Sequence, residues 1–580
     1  MMNSKSGMPL LSLFLPLLLA ACATTPQPAM EPADLTEAVH GQAVESKLVL
    51  PQLELNDQML YEFMLADIAA QRGQPELAAQ VYFDLAKSTR DPRVARRAAQ
   101  LAYESHQMKR ALEAFQLWQE VEPTSMLAKQ MLATLLVSGG RLEEAQPQIA
   151  AMLAADPQNA GRSLVQLYPL FARHPDKAAT YKSLRELARP YAHLAEAHWV
   201  QAQAAEAAGD HAAAMSEAQQ ARAIRPEWDM AALLEAQLSL REAPQQSLAV
   251  LKKYLASYPE SNEVRLFYAR ALLEQKQYAE SRVEFQRLQK QHPENAELAF
   301  AIALLSLQMG ELDRAEQELQ QTLRAGKKDS GTVYYYLAQL NEAKKNDAAA
   351  LQQYAQVKDG DYVFASQLRI AYLLNKAGKL QEARAVLHKA DAPHNQQRAQ
   401  LLLVEAQMLR DAQQYDSAST VLGKGLEKLP NNPELLYEAA MVADKQGKPD
   451  VFESFIRKLI KVDPNHAHAY NALGYSLLER NVRLSEGMQL VEKAYQLAPD
   501  DAAIIDSMGW GYYRLGDLPK SLEFMRRAYA AFPDHEVAAH LGEVLWQTGA
   551  KDEARKIWQD GLKENPDSTV LKAVMKRFMP

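Results

Sequence analysis

The sequence predicts an all-α protein built from about 15 consecutive helix pairs. Apolar residues recur with the helical period from about Asn56 onward, and alternating strand patterns are absent. Near the C-terminus Pro464, Pro499, Pro533 and Pro566 close segments of 35, 34 and 33 residues. Alanine is abundant, which suits closely packed helices. Together these features indicate a solenoid in which one short helical unit is repeated.

Residues 1–21 combine one positive charge, at Lys5, with an apolar run from Met8 to Ala21. The run is too short to cross a bilayer as a helix, so it is typical of a signal peptide that is removed from the mature chain. It ends in LAAC, which resembles the lipobox of bacterial lipoproteins with Cys22 as the attachment site. The alternative is an ordinary signal peptide followed by an incidental cysteine.

Cys22 is the only cysteine in the chain, and a free thiol outside the cytoplasm is a redox liability that lipid attachment removes. The resemblance implies that Cys22 becomes the mature N-terminus and carries a diacylglyceryl group and an N-acyl chain. Each buried CH₂ contributes about 0.8 kcal/mol, so several acyl chains make release from a membrane negligible. Ala23 follows instead of an aspartate retention signal, which for such lipoproteins implies the outer membrane, facing the periplasm.

Residues 22–55 are rich in Pro, Ala, Thr and Glu and show little periodicity. This composition predicts a lipidated N-terminus and a tether that holds the folded body away from the membrane. Within it, the stretch from Val44 to Leu55 is expected to pack onto the first helix.

Residues 56–567 can be divided into repeats by their closing prolines and by small residues placed for helix crossings. Upstream of Pro464 the closing prolines are Pro123, Pro157, Pro226, Pro259, Pro293 and Pro430. The small residues in phase with them are Ala66, Ala78, Ala99, Ala111, Ala133, Ala145, Ala202, Ala214, Ala221, Ala315 and Ala383. The pairs near residues 160–190 and 228–259 fit this phase least well. Residues 568–580 follow the last unit and are predicted to form a capping helix, because the end of an array needs a polar outer face.

The last three copies are the clearest. Each has a large residue followed by glycine in its first helix, in the pairs Leu473-Gly474, Met508-Gly509 and Leu541-Gly542. This pattern resembles the tetratricopeptide repeat (TPR), a helix-turn-helix of about 34 residues. The resemblance implies a TPR α-solenoid, a right-handed superhelix whose inner wall is lined by the first helix of every pair.

The formal charge of −8, about −9 without Lys5, and the absence of a basic run argue against a nucleic-acid partner. No set of residues predicts catalysis, a cofactor or a small-molecule substrate. The sequence from His535 to His540 approaches a zinc-protease motif, but a spacing of five residues turns the second histidine off the shared helix face. Gly509, Trp510 and Gly511 lie inside a predicted helix without a preceding strand, which argues against a phosphate-binding loop. We therefore predict a binding protein that is not an enzyme.

The resemblance to TPR proteins assigns four inward-facing positions to each of the last three copies: His468, Asn471, Tyr475 and Leu478; Ala503, Asp506, Trp510 and Tyr513; and Glu536, Ala539, Glu543 and Trp546. Six of the residues at these positions form the candidate partner groove: Tyr475, Asp506, Trp510, Tyr513, Glu543 and Trp546. Aromatic residues often anchor interfaces, and the two carboxylates would favour a partner with basic groups. For Trp510 and Trp546 the alternative is packing between repeats. Tyr512, Met525, Leu545 and Trp558 are predicted to be core residues.

A lipobox, a tether and a long array ending in NALGYSLLERNVRLSEG and DDAAIIDSMGWGYYRLG are similar to the large TPR lipoproteins of proteobacteria. Some of these proteins are adaptors for periplasmic carboxyl-terminal processing proteases, which are serine proteases. This resemblance implies that the chain holds such a protease and delivers substrates, including peptidoglycan hydrolases. The alternative is a scaffold for another envelope machine, such as secretion, pilus or exopolysaccharide export.

Overall fold

The computed structural model describes residues 50–579. The predicted signal peptide, the lipid-attachment residue Cys22 and the tether up to Val49 lie outside the described residues.

Between Leu50 and Met579 the chain is all-α, with 31 α-helices, two short 3₁₀ turns and no strand. It divides into two compact units, of which the first ends at Lys328. The sixteen helices of the first unit are α1 (Asp57–Gln71), α2 (Pro75–Thr89), α3 (Pro92–Glu104), α4 (Met108–Val121), α5 (Met126–Ser138), α6 (Leu142–Ala155), α7 (Ala160–Ala172), α8 (Lys177–Ala188), α9 (Ala195–Ala207), α10 (His211–Ile224), α11 (Asp229–Leu240), α12 (Pro244–Ser257), α13 (Asn262–Glu274), α14 (Tyr278–Gln291), α15 (Ala296–Gln308) and α16 (Leu312–Arg324).

The second unit begins at Asp329. Its fifteen helices are α17 (Ser330–Ala343), α18 (Asp347–Tyr354), α19 (Val363–Lys376), α20 (Leu380–Lys389), α21 (Asn395–Asp411), α22 (Tyr415–Lys428), α23 (Pro433–Lys445), α24 (Pro449–Val462), α25 (Ala467–Glu479), α26 (Leu484–Leu497), α27 (Ala502–Arg514), α28 (Leu518–Ala531), α29 (His535–Gln547), α30 (Lys551–Glu564) and α31 (Thr569–Phe578). Helices α1–α30 form 15 consecutive pairs within the described residues, which confirms the predicted solenoid.

Small residues lie where the two helices of a pair cross. All eleven alanines that the sequence assigned to crossings have no exposed surface, from Ala66 in α1 to Ala383 in α20. A side chain of one carbon lets two helix backbones approach closely, so apolar side chains of neighbouring pairs can meet around the crossing. The closing prolines lie in the connections that follow each pair, where the missing N–H costs no helical hydrogen bond.

In the last complete pair the crossing requires glycine. A methyl group on Gly542 of α29 would overlap the indole ring of Trp558 in α30, which is fully buried. The indole N–H donates to the carbonyl oxygen of Ala539 over 3.3 Å, which fixes the ring against α29. Met525 and Leu545 are also fully buried, as predicted, whereas Tyr512 is only half-buried.

The two ends of the described chain differ. At the C-terminal end α31 packs on α29, and Ser568 caps it by accepting a hydrogen bond from the Leu571 N–H. At the N-terminal end Leu60, Met64 and Ile68 form an exposed stripe along α1. Leu50, Leu53 and Leu55 are exposed too, so the expectation that they pack onto the first helix is wrong for these residues. Within residues 50–579, α1 is therefore the outer face of that end.

The pair α7–α8 departs most from a regular repeat. Its sequence also fits the spacing of closing prolines and small residues poorly. Both helices form, but they pack mainly on α9 and hardly on each other. Pro169 lies inside α7, where it removes one backbone hydrogen bond. Helices α11 and α12, whose sequence also fits the repeat spacing poorly, pack on each other as in the other pairs. Among the helices between Leu50 and Met579, none has the length and hydrophobicity needed to cross a membrane.

Candidate partner-binding site

Five of the six predicted groove residues belong to connected contacts on α25, α27 and α29, the first helices of three consecutive pairs. We call the surface formed by Tyr475, Glu479, Asp506, Trp510, Tyr513, His540 and Glu543 the C-terminal wall. The helices present these residues to one another because the repeat places equivalent turns of successive first helices side by side. The sixth predicted residue, Trp546, lies apart from these contacts.

His540 of α29 joins the other two helices. Its Nδ1 lies 2.8 Å from Oδ2 of Asp506 in α27, and its Nε2 lies 3.4 Å from the Tyr475 hydroxyl in α25. The imidazole also stacks on the ring of Trp510, with centroids 4.3 Å apart. One histidine therefore links side chains of three repeats.

Trp510 is held from several sides. Its indole N–H donates to Oε2 of Glu479 over 2.7 Å, and its ring centroid lies 5.0 Å from that of Tyr513. The guanidinium of Arg514 lies over the ring, 6.0 Å from the centroid. Only 4% of the residue is exposed, so Trp510 is a packed residue in the free protein and offers little surface to a partner.

The second half of the wall is an ion-paired group. The Tyr513 hydroxyl donates to Oε1 of Glu543 over 3.0 Å, and Nη1 of Arg577 in the capping helix donates to the same oxygen over 3.2 Å. Glu543 has 4% of its surface exposed, so this pairing satisfies a buried carboxylate. Helix α31 therefore packs on α29 and also supplies a cation to its buried carboxylate.

Trp546 contacts the end of the array. Its ring stacks on that of Trp558 with centroids 5.7 Å apart, and it lies 6.0 Å from Phe578 of α31. Lys551 and Arg555 both place their cationic groups 5.3 Å from its centroid. Trp546 is half-buried among these groups and forms part of the contact between the pair α29–α30 and helix α31.

The electrostatics of the wall are dominated by carboxylates. Burial raises the pKa of the Tyr475 hydroxyl, and the carboxylates of Glu479, Asp506, Glu536 and Asp444 raise it further. Burial lowers the pKa of His540, but the Asp506 carboxylate outweighs this effect and the net pKa is raised. The ion pair between His540 and Asp506 therefore stabilises the fold at low pH and is lost as pH rises through the raised pKa.

Sequence reasoning missed Glu479, His540 and Arg577. Only four positions of each repeat were counted as inward-facing, and Glu479 and His540 each lie one residue beyond a counted position. Arg577 belongs to the cap, to which the repeat pattern assigns no inward position. A wider set of first-helix positions would have included the first two residues.

The two histidines of the sequence that approaches a zinc-protease motif face different partners in the structure. His535 faces Asp534, with Nδ1 and Oδ1 3.1 Å apart, while His540 faces Asp506. Across residues 50–579 no three His, Cys, Asp or Glu side chains are grouped to hold a metal ion.

Comparison with known proteins identifies the type of repeat. Models of the tetratricopeptide repeat match residues 238–298, 272–340, 453–502 and 512–578. Among solved structures, the TPR protein TTC0263 of Thermus thermophilus is 23% identical, covering 31% of this chain and 98% of its own, with a TM-score of 0.29. A TPR protein of Parabacteroides merdae is 13% identical, covering 43% of this chain and 99% of its own, with a TM-score of 0.35.

One relative matches this chain over most of its length. The TPR repeat-containing protein PA4667 of Pseudomonas aeruginosa is 33% identical over 514 residues, which cover 88% of this chain and 86% of the relative. The chain belongs to the TPR repeat-containing proteins.

Proposed function

We propose that this protein is a non-catalytic adaptor that binds a periplasmic carboxyl-terminal processing protease and delivers substrates to it, peptidoglycan hydrolases among them. The observation that carries the proposal is the run of helix pairs from Asp57 to Glu564, which spans almost the whole described chain. TPR repeats are protein–protein interaction scaffolds, and a long array supplies enough surface for a protease and its substrate together. The likeness of the lipobox and the last repeats to the adaptor lipoproteins supports this choice of partner.

The C-terminal wall supports a binding role in particular. It gathers Tyr475, Trp510 and Tyr513 with several carboxylates on first helices, the surface that TPR proteins commonly offer to partners. Aromatic residues beside buried polar groups are enriched at the energetic centres of interfaces. The half-buried Tyr475 and Tyr513 are the rings that a partner can reach.

Affinity purification of the lipidated protein from solubilised membranes, followed by mass spectrometry, tests the choice of partner. We expect a processing protease with a PDZ domain in the eluate, together with its substrates. Recovery of a secretin or a polymer synthase in its place would contradict the adaptor role and favour a scaffold for another envelope machine.

Localisation to the outer membrane, facing the periplasm, is part of the same proposal and depends on Cys22. The variant Cys22→Ser should fold normally but no longer sediment with outer membranes, because the acyl chains supply the membrane affinity. Fractionation followed by immunoblotting measures this, and circular dichroism of the purified variant controls for folding. If the variant stays in the membrane pellet after a salt wash, the lipid anchor is contradicted.

A further inference from the structure

Exposed apolar side chains are concentrated at the N-terminal end of the described chain. Within residues 50–579, nineteen large apolar side chains are exposed, and eight of them lie between Leu50 and Leu77. Four of the eight share one face of α1, and we call them the α1 stripe: Leu60, Tyr61, Met64 and Ile68. Apolar surface gathered on one exposed helix face marks a contact surface.

The α1 stripe has a negative charge at one end and a positive charge at the other. Asp57, the first residue of α1, precedes Met64 by seven residues, and Arg72, which ends the helix, follows it by eight. At these spacings both residues lie on the side of the stripe. Both are exposed, and neither forms an ion pair with another residue that the structure describes.

The other two carboxylates of α1 are engaged within the same chain. Glu62 accepts a hydrogen bond from the Gln58 amide over 3.0 Å, and Asp67 accepts one from the Tyr82 hydroxyl of α2. The charges that remain for an outside contact on this face are therefore Asp57 and Arg72.

This face of α1 is complementary to a second copy of itself. When two copies of α1 pack antiparallel about a two-fold axis near Met64, Tyr61 of each copy lies opposite Ile68 of the other. The same arrangement brings Asp57 of each copy to Arg72 of the other. Because a two-fold contact repeats every interaction, it buries the α1 stripe of both copies and forms the ion pair twice.

A lipid surface fits this face less well. Helices that lie on a membrane usually carry lysine or arginine beside their apolar face. Between Asp57 and Gln71 α1 contains neither, and Glu54 adds a further exposed carboxylate just before it. Anionic headgroups would be repelled by these charges.

We propose that two copies of this protein associate through the α1 stripe in an antiparallel, two-fold contact, which joins the two chains at their first helices. This inference goes beyond the proposed adaptor function and does not depend on it, since it concerns residues of α1 alone. Each copy keeps its own C-terminal wall, so a dimer would offer a partner two binding surfaces.

Sedimentation equilibrium measures the association. The sample is the mature chain carrying Cys22→Ser, which needs no detergent that would itself cover apolar surface. We expect a reversible monomer–dimer equilibrium, and we expect Met64→Lys to weaken it by about tenfold or more, because two charges then meet at the axis. The matched control is Val283→Lys, which changes a similarly exposed apolar residue of α14. A monomer at every concentration, or equal weakening by both variants, would overturn the proposal.

A charge exchange tests the antiparallel register. Asp57→Arg and Arg72→Asp should each weaken the dimer by about fivefold, because each places like charges opposite one another. The double variant should restore the dimer. It keeps both unfavourable charges at the ends of α1, so recovery comes from the pair between copies and not from the helix. A double variant that associates no better than the single ones would contradict this register.

Oxidation of Met64 by hydrogen peroxide, read by mass spectrometry, identifies what covers the stripe. We expect protection that increases with protein concentration over the range in which the dimer forms. Protection at every concentration would assign the cover to the same chain, in the residues before Leu50. Oxidation at every concentration would show a stripe without a cover. Either of these two results would exclude the second copy as the occupant.

Discussion

Replacing Trp510 with alanine should lower the free energy of unfolding of the last repeats by about 3–5 kcal/mol, the usual cost of removing a buried tryptophan. Only 4% of Trp510 is exposed, and its loss would remove the support of His540 and leave Glu479 without its indole donor. The effect should therefore reach α25, α27 and α29 together, because the ring contacts side chains of all three helices.

Melting followed by circular dichroism and hydrogen exchange of the amides in α25–α29 measures this effect. Both are needed because repeat arrays do not unfold in a single all-or-none step. The control is Trp510→Phe, which keeps an aromatic ring for stacking on His540 but loses the pyrrole ring with its N–H. Trp546→Ala should disturb the capping helix, since Trp546 contacts Phe578 and Trp558.

The opposite result would show that Trp510 is an anchor for a partner. In that case Trp510→Ala would leave the melting midpoint and the amide protection unchanged while partner binding is lost. The sequence left packing and partner binding open for this residue, and the burial of its ring is the reason to expect packing.

The repeat architecture could be predicted because its signals are local. Ala99 and Ala111 recur in phase because each helix pair must cross closely, and Gly516 follows its helix because the turn requires a positive φ, here 85°. The same unit is used throughout, so a misread copy can be corrected from its neighbours. This redundancy explains why the helix pairs were found even where the closing proline is missing.

The contacts of the wall could not be predicted in the same way. Tyr475 and His540 lie 65 residues apart and meet only because first helices two repeats apart converge on one place. Repeat positions show which residues share a face, but they do not show how deeply a ring is buried. Trp510 and Tyr475 occupy equivalent positions, and yet the first is buried and the second half-buried. Both rings contact His540, which the counted positions did not include, and they differ in their other neighbours.

Peptide-bond hydrolysis by the partner protease, measured with and without this protein, tests the adaptor role most directly. We expect the purified protein alone to release nothing from casein or muropeptides, and to raise the rate at which the protease cleaves its physiological substrate. If the protein alone, free of contaminating protease, hydrolyses either substrate, or if the protease cleaves its substrate equally fast without it, the adaptor role is contradicted.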